Sequence, residues 1–183
     1  MKTAIFLADG FETVEALAVV DILRRAGIEN QMVSITGNEM VVTSHSIGVK
    51  ADIRLSEVDF SALDMMILPG GMPGTKNLEA CEELMQALDA FYAAGKKIAA
   101  ICAAPSILAH RGMLKGKRAC SYPNFEEHLT AGGATVTKDA AIVDGNMITA
   151  RGMGCAVEFG LTIVAQLVGS EKAEEIRRSI VAC

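Results

Sequence analysis

Hydrophobic positions along the chain fall into short unbroken runs, separated by stretches in which they recur every third or fourth residue. The runs read as buried strands: Thr3 to Ala8, Asp64 to Leu68 and Lys97 to Ile101, each apolar enough to be covered on both faces. The first leads through the turn Asp9-Gly10-Phe11-Glu12-Thr13 into a helix, Val14 to Ala26, closed by Gly27 as its C′ residue. A strand over Asn30 to Thr36 follows, then a hairpin of Met40 to Ser44 and Gly48 to Ala51. Cys81, Leu84, Met85, Leu88, Phe91 and Tyr92 keep helical spacing up to Gly95, which places Cys81 on a core stripe. Beyond Ile101 the chain turns into a helix expected to begin near Ala103 and end near His110. Arg118 to Ser121 reads as a short strand and Asn124 to Ala131 as a helix stopped by Gly132-Gly133. Asp144-Gly145-Asn146 joins Ala140–Val143 to Met147–Ala150 as a hairpin. Ala156, Phe159, Gly160, Ile163 and Leu167 mark a last core helix, and Ser170 is placed to cap a terminal one.

Alternation of buried strands with helices indicates an α/β three-layer sandwich with a mostly parallel sheet and peripheral hairpins. Ligands in such folds bind beyond the carboxyl ends of the strands. Three loops fall at that edge: Gly10 to Glu15, Pro69 to Gly74, and Ile101 to Ala103.

Composition narrows the function classes. The 183 residues are 51% hydrophobic with no Trp, enough for one domain over residues 1–183 with an aliphatic core. A net charge of −5, with only short basic clusters, argues against nucleic acid as a partner. No uninterrupted apolar window is long enough to span a bilayer. Asp9 and Glu12 cut the N-terminal apolar run short, so it reads as a strand rather than a signal peptide. The cysteines (Cys81, Cys102, Cys120, Cys155 and Cys183) are odd in number and lack the close pairs of a zinc site, so reduced thiols in a cytoplasmic protein are expected and no metal.

Cys102 stands where a strand turns sharply into a helix, with Pro105 suited to the first helical turn. A sulfur there meets free N–H groups and the positive end of a helix dipole, which favour the thiolate. The alternative is an inert, core-filling cysteine. Glu15 lies on an apolar stripe with Ala18, Val19 and Ile22, in the first turn of its helix. Burial would raise its pKa; the dipole, or an exit to solvent, would keep it low. The Pro69–Gly74 loop does not fit G-x-x-x-x-G-K-[ST]. Its glycines allow close backbone approach with N–H groups turned to an anion, or simply make a tight loop. His110 and His128 read as ordinary helical positions.

Gly10-Phe-Glu-Thr-Val-Glu15, Asp21-Ile-Leu-Arg-Arg-Ala-Gly27, Leu68-Pro-Gly-Gly71, Ala99-Ala-Ile-Cys-Ala-Ala-Pro105 and Arg151-Gly-Met-Gly154 with Glu158-Phe159 form an ordered set. The set resembles the ThiJ/PfpI superfamily, in the branch of the Parkinsonism-associated protein deglycase and its bacterial members, over essentially the whole chain. The resemblance implies a flavodoxin-like sandwich, a homodimer and an oxidation-prone nucleophilic cysteine. It assigns Cys102 as nucleophile, Glu15 as the protonated acid that hydrogen-bonds the sulfur, and Gly71 and Ala103 as backbone N–H donors for an oxyanion. Gly70 joins the pocket. The sequence departs from the family pattern in two places. Ala103 stands where the protease-like branch has His, which argues against a protease triad, and Tyr122 stands where the deglycase branch offers His. His45, in the hairpin implied to lie across the dimer interface, either approaches the pocket of the partner subunit or is a surface turn histidine. The implied activity is cofactor-independent conversion of reactive 2-oxoaldehydes, methylglyoxal to lactate, or removal of early glycation adducts. The alternatives are an oxidative-stress sensor or redox-regulated chaperone acting through Cys102, and a hydratase of a small electrophile such as an isonitrile.

Overall fold

The computed structural model describes residues 1–182; Cys183, one of the five thiols expected to be reduced, lies outside the described residues. The chain begins with β1 (Lys2–Leu7), α1 (Thr13–Arg25) and β2 (Glu29–Ser34). The hairpin β3 (Met40–Val42) and β4 (Gly48–Lys50) and the short β5 (Ile53–Arg54) precede β6 (Met65–Leu68). Next come α2 (Gly74–Glu79), α3 (Glu82–Ala93), β7 (Lys97–Ile101) and α4 (Pro105–His110). After β8 (Arg118–Ala119), α5 (Glu126–Ala131) and β9 (Thr135–Val136), the hairpin β10 (Ala141–Asp144) and β11 (Met147–Ala150) leads into α6 (Ala156–Val168) and α7 (Ser170–Ser179).

The main sheet runs β10-β11-β7-β6-β1-β2-β5, all parallel except the β10–β11 edge pair. Its central five strands, taken in chain order, have the flavodoxin-like order 2-1-3-4-5. The period-two alternation of side chains sends Ile5, Leu7, Ile67 and Ile101 to one face, where α1, α6 and α7 supply Val19, Leu23, Phe159 and Ile176. Phe6, Met66, Leu68 and Ile98 point to the other face, against Leu78, Leu88, Ile107 and Leu129 from α2 to α5. Each fully buried Ile, Leu or Phe in these layers contributes roughly 1.5–3 kcal/mol. Both hairpins form, with Met40 opposite Lys50 and Asp144 opposite Met147. Gly27 and Gly95 follow their helices with φ of 74° and 70°, the left-handed stop the sequence predicts.

Several boundaries differ from expectation for local reasons. Strand β2 ends at Ser34, whose hydroxyl pairs with Thr36 in the turn. The strand expected to Ser121 stops at Ala119, because the Cys120 N–H turns to Thr149 Oγ1. Residues Cys102 to Ala104 form a turn, with the Ala104 N–H donating to the Ile101 carbonyl, so α4 starts at Pro105 and not at Ala103. A 3-10 turn, Pro123–Phe125, occupies the start of the helix expected from Asn124. Ser170 is the first residue of α7 and makes no cap; Gly169, at φ 101°, is the joint between α6 and α7. Among the described residues, no helix is long and apolar enough to cross a membrane.

Candidate active site

The chain leaves β1 toward α1 on one face of the sheet and leaves the adjacent β6 toward α2 on the other, which opens a crevice between the two strand ends. The end of β7, next to β6, delivers Cys102 into it. The three loops singled out in the sequence meet here.

Cys102 has φ 65°, a left-handed conformation that costs a non-glycine residue about 1–3 kcal/mol. Its backbone is held on both sides: its N–H donates to the Ala150 carbonyl at 2.9 Å, and its carbonyl accepts the Tyr122 N–H at 2.9 Å. The thiol is half-buried, so it is neither a sealed core filler nor a surface group.

Glu15 is 1% exposed, which settles its two sequence readings in favour of burial. Its Oε2 accepts the Gly70 N–H at 3.0 Å, and its carboxyl hydrogen-bonds the Cys102 sulfur. Gly70 has to lack a side chain. A Cβ there would fall 2.6 Å from both the Cys102 Cβ and Glu15 Oε2, and 2.9 Å from the Ile101 carbonyl oxygen. On the opposite side a Cβ on Gly152 would sit 3.9 Å from Cys102 Sγ and from Glu15 Oε1, and 3.4 Å from Tyr122 Cδ2. A methyl-sized space therefore touches thiol, carboxyl and phenol ring together.

Burial pushes the Glu15 pKa from its ordinary 4.5 to about 7, with the hydrogen bonds from Cys102 and Gly70 pulling the other way and the Glu12 carboxylate adding to the rise. Burial, and then the Glu15 carboxylate, push the Cys102 thiol up to about 12. The Ala103 and Gly71 N–H groups lower it, as the sequence reading expects, but less than burial raises it. The expectation of a lowered thiol pKa is thus corrected. Thiol and carboxyl act as a coupled pair that keeps one proton over a wide pH range.

The other predicted residues fall at the rim. Tyr122 is 47% exposed, with its ring beside Gly152, so it reaches the pocket edge. His45 is exposed in the β3–β4 turn; its Nδ1 lies 3.1 Å from Ser44 Oγ and 3.6 Å from Glu12 Oε2, and within its own chain it joins neither Cys102 nor Glu15. Sequence reasoning passed over three residues. Glu12 accepts the Ser44 hydroxyl at 3.1 Å at the mouth of the site, and Gly152 forms its wall. Gly152 belongs to the matching Arg151–Gly154 segment and Glu12 to the matching Gly10–Glu15 segment, which were the available signals; nothing local marked Ser44. His110 and His128 are not ordinary helical positions, since their rings pair across two helices at 2.9 Å. Among the described residues, no three His, Cys, Asp or Glu side chains converge as a metal ion would need.

The DJ-1/PfpI family model matches residues 1–166. Protein DJ-1 homolog A of Arabidopsis thaliana is 39% identical over 93% of the chain, but the chain spans only 44% of that protein, and 41% of its homolog B. Protein dj-1beta of Drosophila melanogaster is 36% identical, covering 96% of this chain and 94% of that one. The glutathione-independent glyoxalase DJR-1.2 of Caenorhabditis elegans is 29% identical over 98% and 96%. Among solved structures, oxidized Toxoplasma gondii DJ-1 superposes with a TM-score of 0.93 at 34% identity, covering 98% of this chain and 97% of that one. A match over most of the length, joined to a cysteine elbow facing a buried acid, places the chain in the DJ-1/PfpI family.

Proposed function

We propose that the chain is a cofactor-independent enzyme of the glyoxalase type, with Cys102 as nucleophile and Glu15 as proton shuttle for a small 2-oxoaldehyde such as methylglyoxal. The observation that carries this reading is the buried Glu15 carboxyl, raised to about 7, hydrogen-bonded to a half-buried thiol beside a methyl-sized space. A carboxyl with that pKa exchanges protons readily at neutral pH. The name of the Caenorhabditis elegans relative supports the reaction class.

The chemistry follows from the shared proton. As sulfur bonds to the aldehyde carbon, the thiol proton passes to the Glu15 carboxylate, which avoids a free thiolate in a buried site. The Gly71 and Ala103 N–H groups hold the resulting alkoxide until Glu15 returns the proton and leaves a hemithioacetal. Glu15 then removes the hydrogen from that carbon and delivers it to the neighbouring carbonyl carbon, while the hydroxyl proton crosses to the second oxygen. The product is a thioester of lactate on Cys102, which water cleaves to lactate and free thiol. Applied to an early glycation adduct, the same steps give deglycase activity. Lactate formation from methylglyoxal should vanish in Cys102→Ser and in Glu15→Gln; an unchanged yield in either would overturn the proposal.

A second reading has its own observation: the two N–H donors converge on the sulfur itself, where sulfinate oxygens would need them. One similar structure is described as oxidized. Peroxide followed by intact mass tests it; two oxygens gained on Cys102 with negligible aldehyde turnover would favour sensing. We further propose a cytoplasmic homodimer without nucleic-acid or membrane partners. The four cysteines among the described residues, all free, and the exposed apolar Met40, Val42, Ile47 and Val14 support it. Light scattering at a monomer mass would remove the dimer.

A further inference from the structure

The loops that build the site continue into α2 (after Gly71), α4 (after Cys102) and α5 (after Tyr122). These three helices are joined by one polar chain. Glu79, the last residue of α2, has Oε1 2.6 Å from His110 Nδ1 at the end of α4. His110 Nε2 lies 2.9 Å from His128 Nδ1 in α5. The imidazoles meet edge-on, with ring centroids 5.0 Å apart, and Phe125, just after the Tyr122 rim, stacks on His128. We propose that Glu79, His110 and His128 form a proton-operated clamp that holds the Tyr122 rim against Cys102 and releases it when both imidazoles carry a proton.

The chemistry of the contact sets its direction. His110 Nδ1–H donates to the Glu79 carboxylate, so its Nε2 either accepts from His128 Nδ1–H or, with one added proton, donates to it. Both states keep the 2.9 Å contact. A second proton puts an N–H on each facing nitrogen, and the contact must open. Histidine is the side chain whose ordinary charge change falls between pH ~5 and ~8, which sets the range the test must cover. The other charges around the chain are Arg111 at the end of α4, held by Asp89 of α3 and facing Glu79, and Glu127 beside His128 in α5.

Contact is continuous from clamp to thiol. α5 packs tightly on α4, because a Cβ on Gly132 would fall 2.8 Å from the Ala109 carbonyl oxygen. α5 follows the 3-10 turn after Tyr122, whose N–H bonds the Cys102 carbonyl at 2.9 Å. Helices that part at His110 and His128 would pull on that bond. The inference rests on Cys102 being the reactive centre, whichever electrophile it meets.

The test follows alkylation of Cys102 by iodoacetamide, with intact mass to confirm the site, as a function of pH. Glu15 titration contributes equally in every variant. His128→Gln keeps an amide for His110 to pair with but cannot take a proton, and its ring position is exposed. Relative to its own rate at pH ~8, wild type should alkylate faster than His128→Gln at pH ~5.5 by about fivefold, the low end of coupling between two sites. His110→Gln should behave like His128→Gln. Superimposable pH profiles for wild type and both variants would overturn the clamp. So would imidazole NMR titrations in which replacing one histidine leaves the other's curve unmoved. Lactate formation is not the readout, so failure of the aldehyde chemistry and failure of the clamp remain distinguishable.

Discussion

Cys102 and Cys120 each directly follow a strand, β7 and β8, and burial is the main influence on each, raising one thiol to about 12 and the other to about 11. Cys120 is fully covered, and its sulfur is satisfied by the Thr149 carbonyl at 3.3 Å. Cys102 is left partly open, at a positive φ, with an acid that shares its proton and two backbone N–H groups aimed at the sulfur. A burial-raised pKa therefore does not by itself mark a reactive cysteine. The proposed role of Cys102 rests instead on the second titratable group within hydrogen-bonding reach.

The largest expected effect tests that distinction. Cys102→Ser should lower lactate formation from methylglyoxal at least about a thousandfold, as loss of a nucleophile does. Cys120→Ala should leave the rate largely unchanged and cost about 1 kcal/mol in urea unfolding, for one hydrogen bond to Thr149. Comparable rate losses in the two variants would erase the comparison.

Next in size is the pH dependence that only the Cys102 region should impose. Glu15 has its folded pKa above its ordinary 4.5, so the folded state binds the extra proton and its protonated form favours folding. That contribution is fully present below pH ~4.5 and is lost as pH rises through about 7, amounting to on the order of 3 kcal/mol. Glu15→Gln lacks the titration. The difference in unfolding free energy between variant and wild type should therefore grow in the variant's favour from pH ~5 to ~8. A flat difference would show that Glu15 is not titrating in a buried site.

Crowding gives a third contrast. Gly70→Ala should cost about 1–3 kcal/mol and displace the Glu15–Cys102 pair, since its Cβ meets atoms at 2.6 Å, one of them the Cys102 Cβ. Gly112→Ala has open space and only a left-handed φ of 71° to accommodate, about 1 kcal/mol. Thermal unfolding ranks the two, and the loss of lactate formation should accompany Gly70→Ala alone.

Legibility in the sequence followed the same physics. Unbroken apolar runs could only be buried strands, so β1, β6 and β7 were readable, as were glycines that end α1 and α3. α2 was not, because the six residues Gly74–Glu79 are too few and too polar to show a period, and the two-residue strands β5 and β9 carry no alternation. Glu15 stood out because an acid on an apolar stripe conflicts with its surroundings. The positive φ of Cys102 and the partnership of His110 with His128 left no trace, since both arise from tertiary packing across separate elements.

The smallest effect concerns the mouth of the site. Glu12 donates its N–H to the Gly70 carbonyl and receives the Ser44 hydroxyl, so its carboxylate is fixed near Glu15 and adds to the rise in that pKa. It is the least of the influences on Glu15, and Glu12→Gln keeps both size and an oxygen for Ser44. The substitution should move the Glu15 titration downward by a fraction of a pH unit, followed by carboxyl carbon NMR with Glu15→Gln supplying the assignment. At Cys120 the neighbouring charges Asp139 and Arg151 act in opposite directions on a thiol that is fully covered. An upward movement of Glu15 in Glu12→Gln would mean that the half-buried carboxylate works by holding His45, and that positive charge rather than negative charge at the rim governs the acid.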